Sequence, residues 1–250
     1  MAKPRLLVVQ PGELDPPGPL GEWAQDAGAE LDLVQPAKDP LPALDGYDGV
    51  ICLGGPMGAT DDRRHPWLAD VRRLLAEAVT TRLPVLAICL GAQLLAVATG
   101  GRVAVGEAGP EVGPGLVAKR DLAWRDPLFA ELPFMPDVFQ SHADAIVALP
   151  PNTELLASAP RYPNQAFRIG PTAYGIQFHV EITAAAVLSW ARHDPAFAAA
   201  ARPGDLEPGR LATLQRDIEE TWRPFVERFV RLTSGELAPV PPPRPGLPLA

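Results

Sequence analysis

The chain reads as a three-layer α/β domain with a mainly parallel sheet, antiparallel additions and C-terminal helices. Three observations carry that reading. Short apolar runs alternate with helical stretches through the first hundred residues, most of the runs are apolar at consecutive positions, and the runs stop at glycine or proline. A strand covered by helices on both faces needs consecutive apolar residues, and strand–helix alternation calls for parallel connections.

The first run, Arg5 to Gln10, ends at Pro11-Gly12 as a buried strand should. A Gly/Pro-rich loop leads to a helix over Leu20 to Ala29, and Leu31 to Val34 is a second strand. Tyr47 to Leu53 is a third, cut off by Gly54-Gly55-Pro56-Met57-Gly58. From Pro66 to Arg82 the spacing of Trp67, Val71, Leu74, Leu75 and Ala78 predicts a helix, with Arg72-Arg73 on a solvated face. Leu83 to Ile88 is the fourth strand, and Leu90 to Ala98 a helix closed by Gly100-Gly101. Beyond Gly101 short strands separated by Gly, Pro and Asn turns (Arg102 to Trp124, Val138 to Gln140, Thr153 to Ala159, Ala166 to Ile169, Tyr174 to Phe178) predict an antiparallel extension. Helices return over Ile182 to Ala191 and Leu211 to Leu232, the latter with Ile218, Trp222, Phe225, Val226 and Phe229 on one face. One domain over residues 1–235 and a disordered Pro-rich tail over 236–250 are expected.

Composition narrows the function classes. With 47% apolar and 21% charged residues the balance is globular, although 31 prolines among 250 residues is well above average. A formal charge of −8 argues against nucleic acid and anionic membranes as partners, since both demand a basic face. The uncharged stretch from Leu83 to Gly101 is long enough to raise a membrane span, but Pro84, Gly91 and Gln93 make a strand, turn and helix the better account. The start of the chain shows no secretory pattern, so a cytoplasmic protein with Cys52 and Cys89 as reduced thiols is expected. Two thiols and four histidines without ligand spacing call for no metal, and Gly54 to Gly58 lacks the lysine of a phosphate cradle. No cofactor is expected.

The chemistry concentrates in two segments. In Pro84-Val-Leu-Ala87-Ile-Cys89-Leu90-Gly91-Ala-Gln93 a strand runs into a helix with one cysteine at the junction and small residues two positions either side. That is the layout of a nucleophile elbow, whose turn is too tight for large neighbours. The helix N-terminus beside the sulfur favours a thiolate, although a lone cysteine is ordinarily a packing residue. In Tyr174-Gly-Ile-Gln-Phe-His179-Val-Glu181 an extended chain puts His179 and Glu181 on one face, where the carboxylate can orient the imidazole for proton transfer.

Together these segments resemble the class I (triad) glutamine amidotransferases, and most closely the stand-alone members similar to the glutaminase domain of GMP synthase. His179 lies 90 residues after Cys89, Leu53-Gly-Gly55-Pro-Met-Gly58 resembles the family's oxyanion loop, and Gln140-Ser141-His142-Ala143-Asp144 resembles its Ser-His-Gly-Asp stretch. The resemblance implies a flavodoxin-like fold. It also implies Cys89 as nucleophile, His179 as base and acid, Glu181 as its orienting partner, and backbone N–H groups of Gly55 and Leu90 as the oxyanion hole. Gln93, Ser141 and His142 would bind the substrate. Two departures stand out: Ala87 and Ala143 occupy positions where the family usually has glycine.

Among the remaining candidates, Cys52 is expected to pack inside its strand, His65 to be a solvated residue at a helix start, and His193 to lie in a polar loop without a role. His142 is a rival base, set behind His179 for want of a carboxylate two residues on. Three functions stay open: hydrolysis of glutamine with ammonia passed to a separate synthetase subunit, hydrolysis of a γ-glutamyl peptide or conjugate by the same triad, and a non-catalytic regulatory module.

Overall fold

In the computed structural model, which describes residues 3–241, the first strand, β1 (Arg5–Val9), sends Leu6 and Val8 into one core and Leu7 and Val9 into another. Successive strand residues point to opposite faces, so a run apolar at every position separates two hydrophobic layers. The chain continues through α1 (Gly18–Asp26), β2 (Glu30–Val34), β3 (Gly49–Cys52), α2 (Trp67–Thr81), β4 (Val85–Ile88) and α3 (Leu90–Ala98). It then forms β5 (Arg102–Val105), β6 (Glu111–Leu116), β7 (Ala118–Lys119), β8 (Asp137–His142), β9 (Asp144–Ala148), β10 (Thr153–Ser158), β11 (Ala166–Ile169) and β12 (Ala173–Ile176). Three helices follow, α4 (Ala184–His193), α5 (Pro195–Ala200) and α6 (Pro208–Thr233).

The main sheet has eight strands in the order β2-β1-β3-β4-β12-β11-β10-β7. β2, β1, β3, β4 and β12 are parallel, and β11, β10 and β7 add antiparallel pairs at one end. α1 and α6 pack into the core on one face, α2 and α3 into the core on the other, which is the flavodoxin-like three-layer fold. The face expected on α6 is buried, with Trp222, Phe225, Val226 and Phe229 at 0% exposure. Helix α3 explains the uncharged stretch: Leu90 to Ala96 are all buried, between the sheet, α2 and the β5–β9 ribbon. Among the described residues no helix is long and apolar enough to cross a membrane.

Four expectations need correcting. Tyr174 to Phe178 belongs only by one edge to the antiparallel extension: β12 pairs antiparallel with β11 but parallel with β4, Ile176 opposite Ile88. The segment from Arg102 to Trp124 is divided among β5, β6, β7 and a 3-10 turn over Asp121–Arg125, and β5–β9 and β6–β8 form ribbons outside the main sheet. Short strands with few apolar residues leave no periodicity that separates them. Arg72 is not on a solvated face: its guanidinium pairs with Asp62 and donates to the Ala59 carbonyl, tying down the segment after the Gly-rich loop. Finally, β9 and α5 were not expected at all. The proline-rich tail lies outside the described residues from position 242 onward, and 236–241 contains no helix or strand.

Candidate active site

The site lies at the C-terminal edge of the sheet, where ligands of open α/β sheets bind. Since Ile88 and Ile176 are in register, the residues that follow β4 and β12 emerge side by side, and the Cys89 amide donates to the Ile176 carbonyl at 2.8 Å. Cys89 has φ +51° and ψ −109°, a conformation that L residues avoid and that marks a sharp strand-to-helix turn. Gly91 is required there by close approach, because a Cβ would stand 2.2 Å from the Cys52 carbonyl oxygen. The Ala87 side chain is buried in the core beneath the turn. Cys52, level with Ala87 on β3, is fully buried, and burial pushes its thiol up to about 12, so it stays protonated and serves packing as expected.

His179 is held at both ends. Its backbone exchanges hydrogen bonds with Phe139 of β8, at 2.8 and 3.2 Å, and its Nδ1 lies 2.6 Å from Glu181 Oε1. Glu181 Oε2 accepts from the Val180 amide at 2.9 Å, which fixes the carboxylate in turn. His179 Nε2 is buried, and the side chain it faces is that of Cys89. Burial by itself would lower the pKa of this imidazole. The charge of Glu181, with a smaller contribution from the neighbouring Cys89, outweighs that effect and holds it well above the ordinary value of 6.5. Cys89 is 6% exposed, its sulfur 3.6 Å from the Ser141 carbonyl and 3.9 Å from Gln177 Nε2.

The Gly-rich loop closes over this pair. A Cβ on Gly54 would meet His179 Cε1 at 3.1 Å and Cys89 Cβ at 3.6 Å, and one on Gly55 would meet Leu90 Cδ2 at 3.0 Å. Glycine lets the loop backbone lie against the elbow, where Leu90 opens α3, without displacing these side chains. Gln93 lines the cavity, but its amide nitrogen is committed to the Asp144 carbonyl at 3.1 Å and Gln177 Oε1 at 3.2 Å. Ser141 and His142 form the facing wall at the end of β8. His142 is less isolated than expected. Asp144 stands two residues on, although Nδ1 lies 2.9 Å from that residue's backbone carbonyl instead of its carboxylate, and Nε2 lies 3.2 Å from Glu111 Oε2.

Above Cys89 opens a cavity of about 840 Å³. Its roof consists of the 11–15 segment and helices α4 and α5. Trp190 of α4 lies over His179, ring centroids 5.4 Å apart, and donates from Nε1 to the Leu14 carbonyl at 3.0 Å. Asp15, half-buried beside His179 and Glu181, is raised in pKa by burial and by Glu181, with His179 opposing. Sequence reasoning missed Asp15 and Trp190: one sits in a Gly/Pro loop and the other on an ordinary helix face. It also misplaced two histidines. His65 is half-buried against Trp67, and His193 ends α4, so that all four histidines of the chain line this cavity.

A parallel sheet with a cysteine elbow after β4 and a buried His-Glu pair after β12 defines the architecture of an amidotransferase-type domain. The chain belongs to the class-I glutamine amidotransferases, whose family model matches residues 23–186. It is 35% identical over 141 residues to the GMP synthase (glutamine-hydrolysing) of Christiangramia forsetii, covering 56% of this chain and 26% of that protein. The chain thus matches about a quarter of the length of such relatives. It is 30% identical over 177 residues to the glutamine amidotransferase-like protein YfeJ of Salmonella typhimurium, covering 69% of this chain and 73% of the other. Among solved structures, a glutamine amidotransferase from Thermotoga maritima superposes with a TM-score of 0.79 at 28% identity, over 92% of this chain and 99% of that one. One from Methylobacillus flagellatus gives 0.78 at 26% identity, over 96% and 98%.

Proposed function

We propose that the chain hydrolyses the side-chain amide of glutamine to glutamate and ammonia through a Cys89 thioester. The reading rests on one observation above all: a buried imidazole with Nδ1 taken by Glu181 and Nε2 left free toward the cysteine of a strained elbow. A histidine that keeps its proton beside a thiol supports a thiolate–imidazolium pair. Cys89 Sγ attacks the amide carbon, and His179 protonates the departing nitrogen. A water deprotonated by His179 then cleaves the thioester. The backbone N–H groups of Gly55 and Leu90 hold the oxyanion, a contribution of roughly 3 to 4 kcal/mol per donor. Gln93, Ser141 and His142 grip the glutamate part of the substrate. The activity resides in one domain over residues 1–235, in the cytoplasm, where both thiols stay reduced, and the ammonia passes to a separate acceptor enzyme.

Ammonia release from purified protein with glutamine, wild type beside Cys89→Ala, tests this. Cysteine-dependent release is expected, and release that survives the substitution would remove Cys89 from the chemistry. A second reading, hydrolysis of a γ-glutamyl conjugate by the same residues, is favoured by the size of the cavity, of which free glutamine would fill only a small part.

A further inference from the structure

Behind the cysteine, away from the cavity, lies a buried amide that the reaction described above leaves unused. Gln177 follows β12 directly, is 1% exposed and does not line the cavity, and its Nε2 stands 3.9 Å from Cys89 Sγ. Its backbone is fixed, since its amide N–H donates to the Gln165 carbonyl at 2.8 Å. The orientation of its side chain follows from another backbone atom. One terminal atom of Gln93 lies 3.1 Å from the Asp144 carbonyl, which only accepts, so that atom is the Gln93 nitrogen. The same nitrogen lies 3.2 Å from Gln177, so the Gln177 atom facing it is the oxygen, and the Gln177 nitrogen is left to the sulfur. The sulfur therefore meets neighbours of opposite effect. The Ser141 carbonyl, at 3.6 Å, accepts a hydrogen bond and favours the thiol, whereas the Gln177 N–H donates one and favours the thiolate.

We infer that Gln177 is a further catalytic residue, whose side-chain N–H stabilises the Cys89 thiolate while Gln93 holds the amide in place. This rests on the amide hydrolysis proposed above. When the Cys89 proton passes to His179 Nε2, the bond to the Ser141 carbonyl is lost and the long contact with Gln177 tightens onto a charged sulfur. Gln177 itself gives up no proton. Sγ then bonds to the amide carbon, the carbon–nitrogen bond breaks, and His179 returns the proton to the departing nitrogen. Water, losing a proton to His179, next attacks the thioester. The sulfur–carbon bond breaks and its electron pair returns to the sulfur, again beside the Gln177 N–H. One donor thus assists both the formation of the nucleophile and its expulsion, without touching the substrate.

Two variants test this. Gln177→Met removes the donor, and Gln177→Glu keeps an oxygen for Gln93 but turns its other oxygen to the sulfur. Thiolate absorbance at neutral pH reads Cys89 alone, because burial pushes the Cys52 thiol up to about 12, and Cys89→Ala supplies the blank. Both variants should lose thiolate absorbance and react with iodoacetamide about tenfold more slowly than wild type. With glutamine as substrate, kcat should fall at least about tenfold in both, while the KM of Gln177→Glu stays within about twofold. Wild-type alkylation in either variant overturns the role, since the loss in the other then belongs to packing or to the introduced charge. If wild type releases no ammonia from glutamine, the proposed activity fails, and absorbance and alkylation still decide Gln177. Should neither variant fold, NMR of wild type decides. The Gln177 side-chain amide resonance should move together with the thiolate absorbance in a pH titration and stay still in Cys89→Ala. A resonance that ignores the sulfur overturns the role.

Discussion

The floor and the roof of the cavity are built by different means. On the floor, Cys89 and His179 follow adjacent parallel strands whose register is fixed by two buried cores, and backbone hydrogen bonds to Ile176 and Phe139 hold each one. On the roof, α5 buries no residue and starts at the Asp194 cap, while α4 starts at the Thr183 cap and is tied in by Val187 in the core, by the Ala184 amide donating to Gln215 of α6 and by Trp190 donating to the Leu14 carbonyl. The match to the family model covers the floor and stops short of the roof on both sides, since Asp15 precedes residue 23 and Trp190 follows residue 186. The cysteine and histidine sit on the sheet, where little displacement is possible, whereas the roof is a loop and two helices at the edge of the fold.

That contrast can be broken by substitution. The largest effect should come from Glu181→Gln, which lowers turnover about a thousandfold by releasing the imidazole from its tautomer and orientation. It also removes the foremost group raising the His179 pKa, so the ring should lose its proton at lower pH, read by NMR of labelled histidine. Because the folded pKa is raised, the stability it contributes is fully present below the ordinary 6.5 and is lost as pH rises through the folded value. The melting-temperature gap between wild type and Glu181→Gln should therefore be widest in acid and narrow toward alkaline pH. Gly91→Ala, also on the floor, should cost about 3 kcal/mol in denaturant unfolding, because its methyl collides with the Cys52 carbonyl.

Roof substitutions should weigh less. Trp190→Ala should lower kcat/KM about tenfold by freeing the His179 ring face and the 11–15 segment, with Trp190→Phe recovering part of it. A loss as large as that of Glu181→Gln would erase the distinction between floor and roof. The smallest effect belongs to Thr183→Ala, which removes the hydrogen bond to the Ala186 amide and should cost about 1 kcal/mol. Amide exchange should quicken along α4 while β4 and β12 stay protected, and quickened exchange in those strands would mean that roof and floor open together.

Much of the floor is legible in the sequence. The elbow announces itself through small residues around Cys89, and the His179–Glu181 pair through its two-residue spacing. The roof left no comparable mark: Asp15 lies among glycines and prolines, Trp190 looks like any apolar helix residue, His65 reads as solvated and His193 as a polar-loop residue without a role. Arg72 was misjudged for the same reason, because a partner in a loop ten residues away leaves no periodic signal.

The sequence by itself determined the order of strands and helices through α3, the two-sided burial of the sheet and the identity of the cysteine and histidine segments. Those features rest on local periodicity and on turns that only small residues can make. Only the tertiary structure decided that β12 lies parallel against β4, which sets Cys89 beside His179, and that Asp15, Trp190 and all four histidines meet around one cavity. Such pairings join residues as far as 176 positions apart, as Leu14 and Trp190 are. They follow from how whole faces pack, and no local pattern in the chain encodes them.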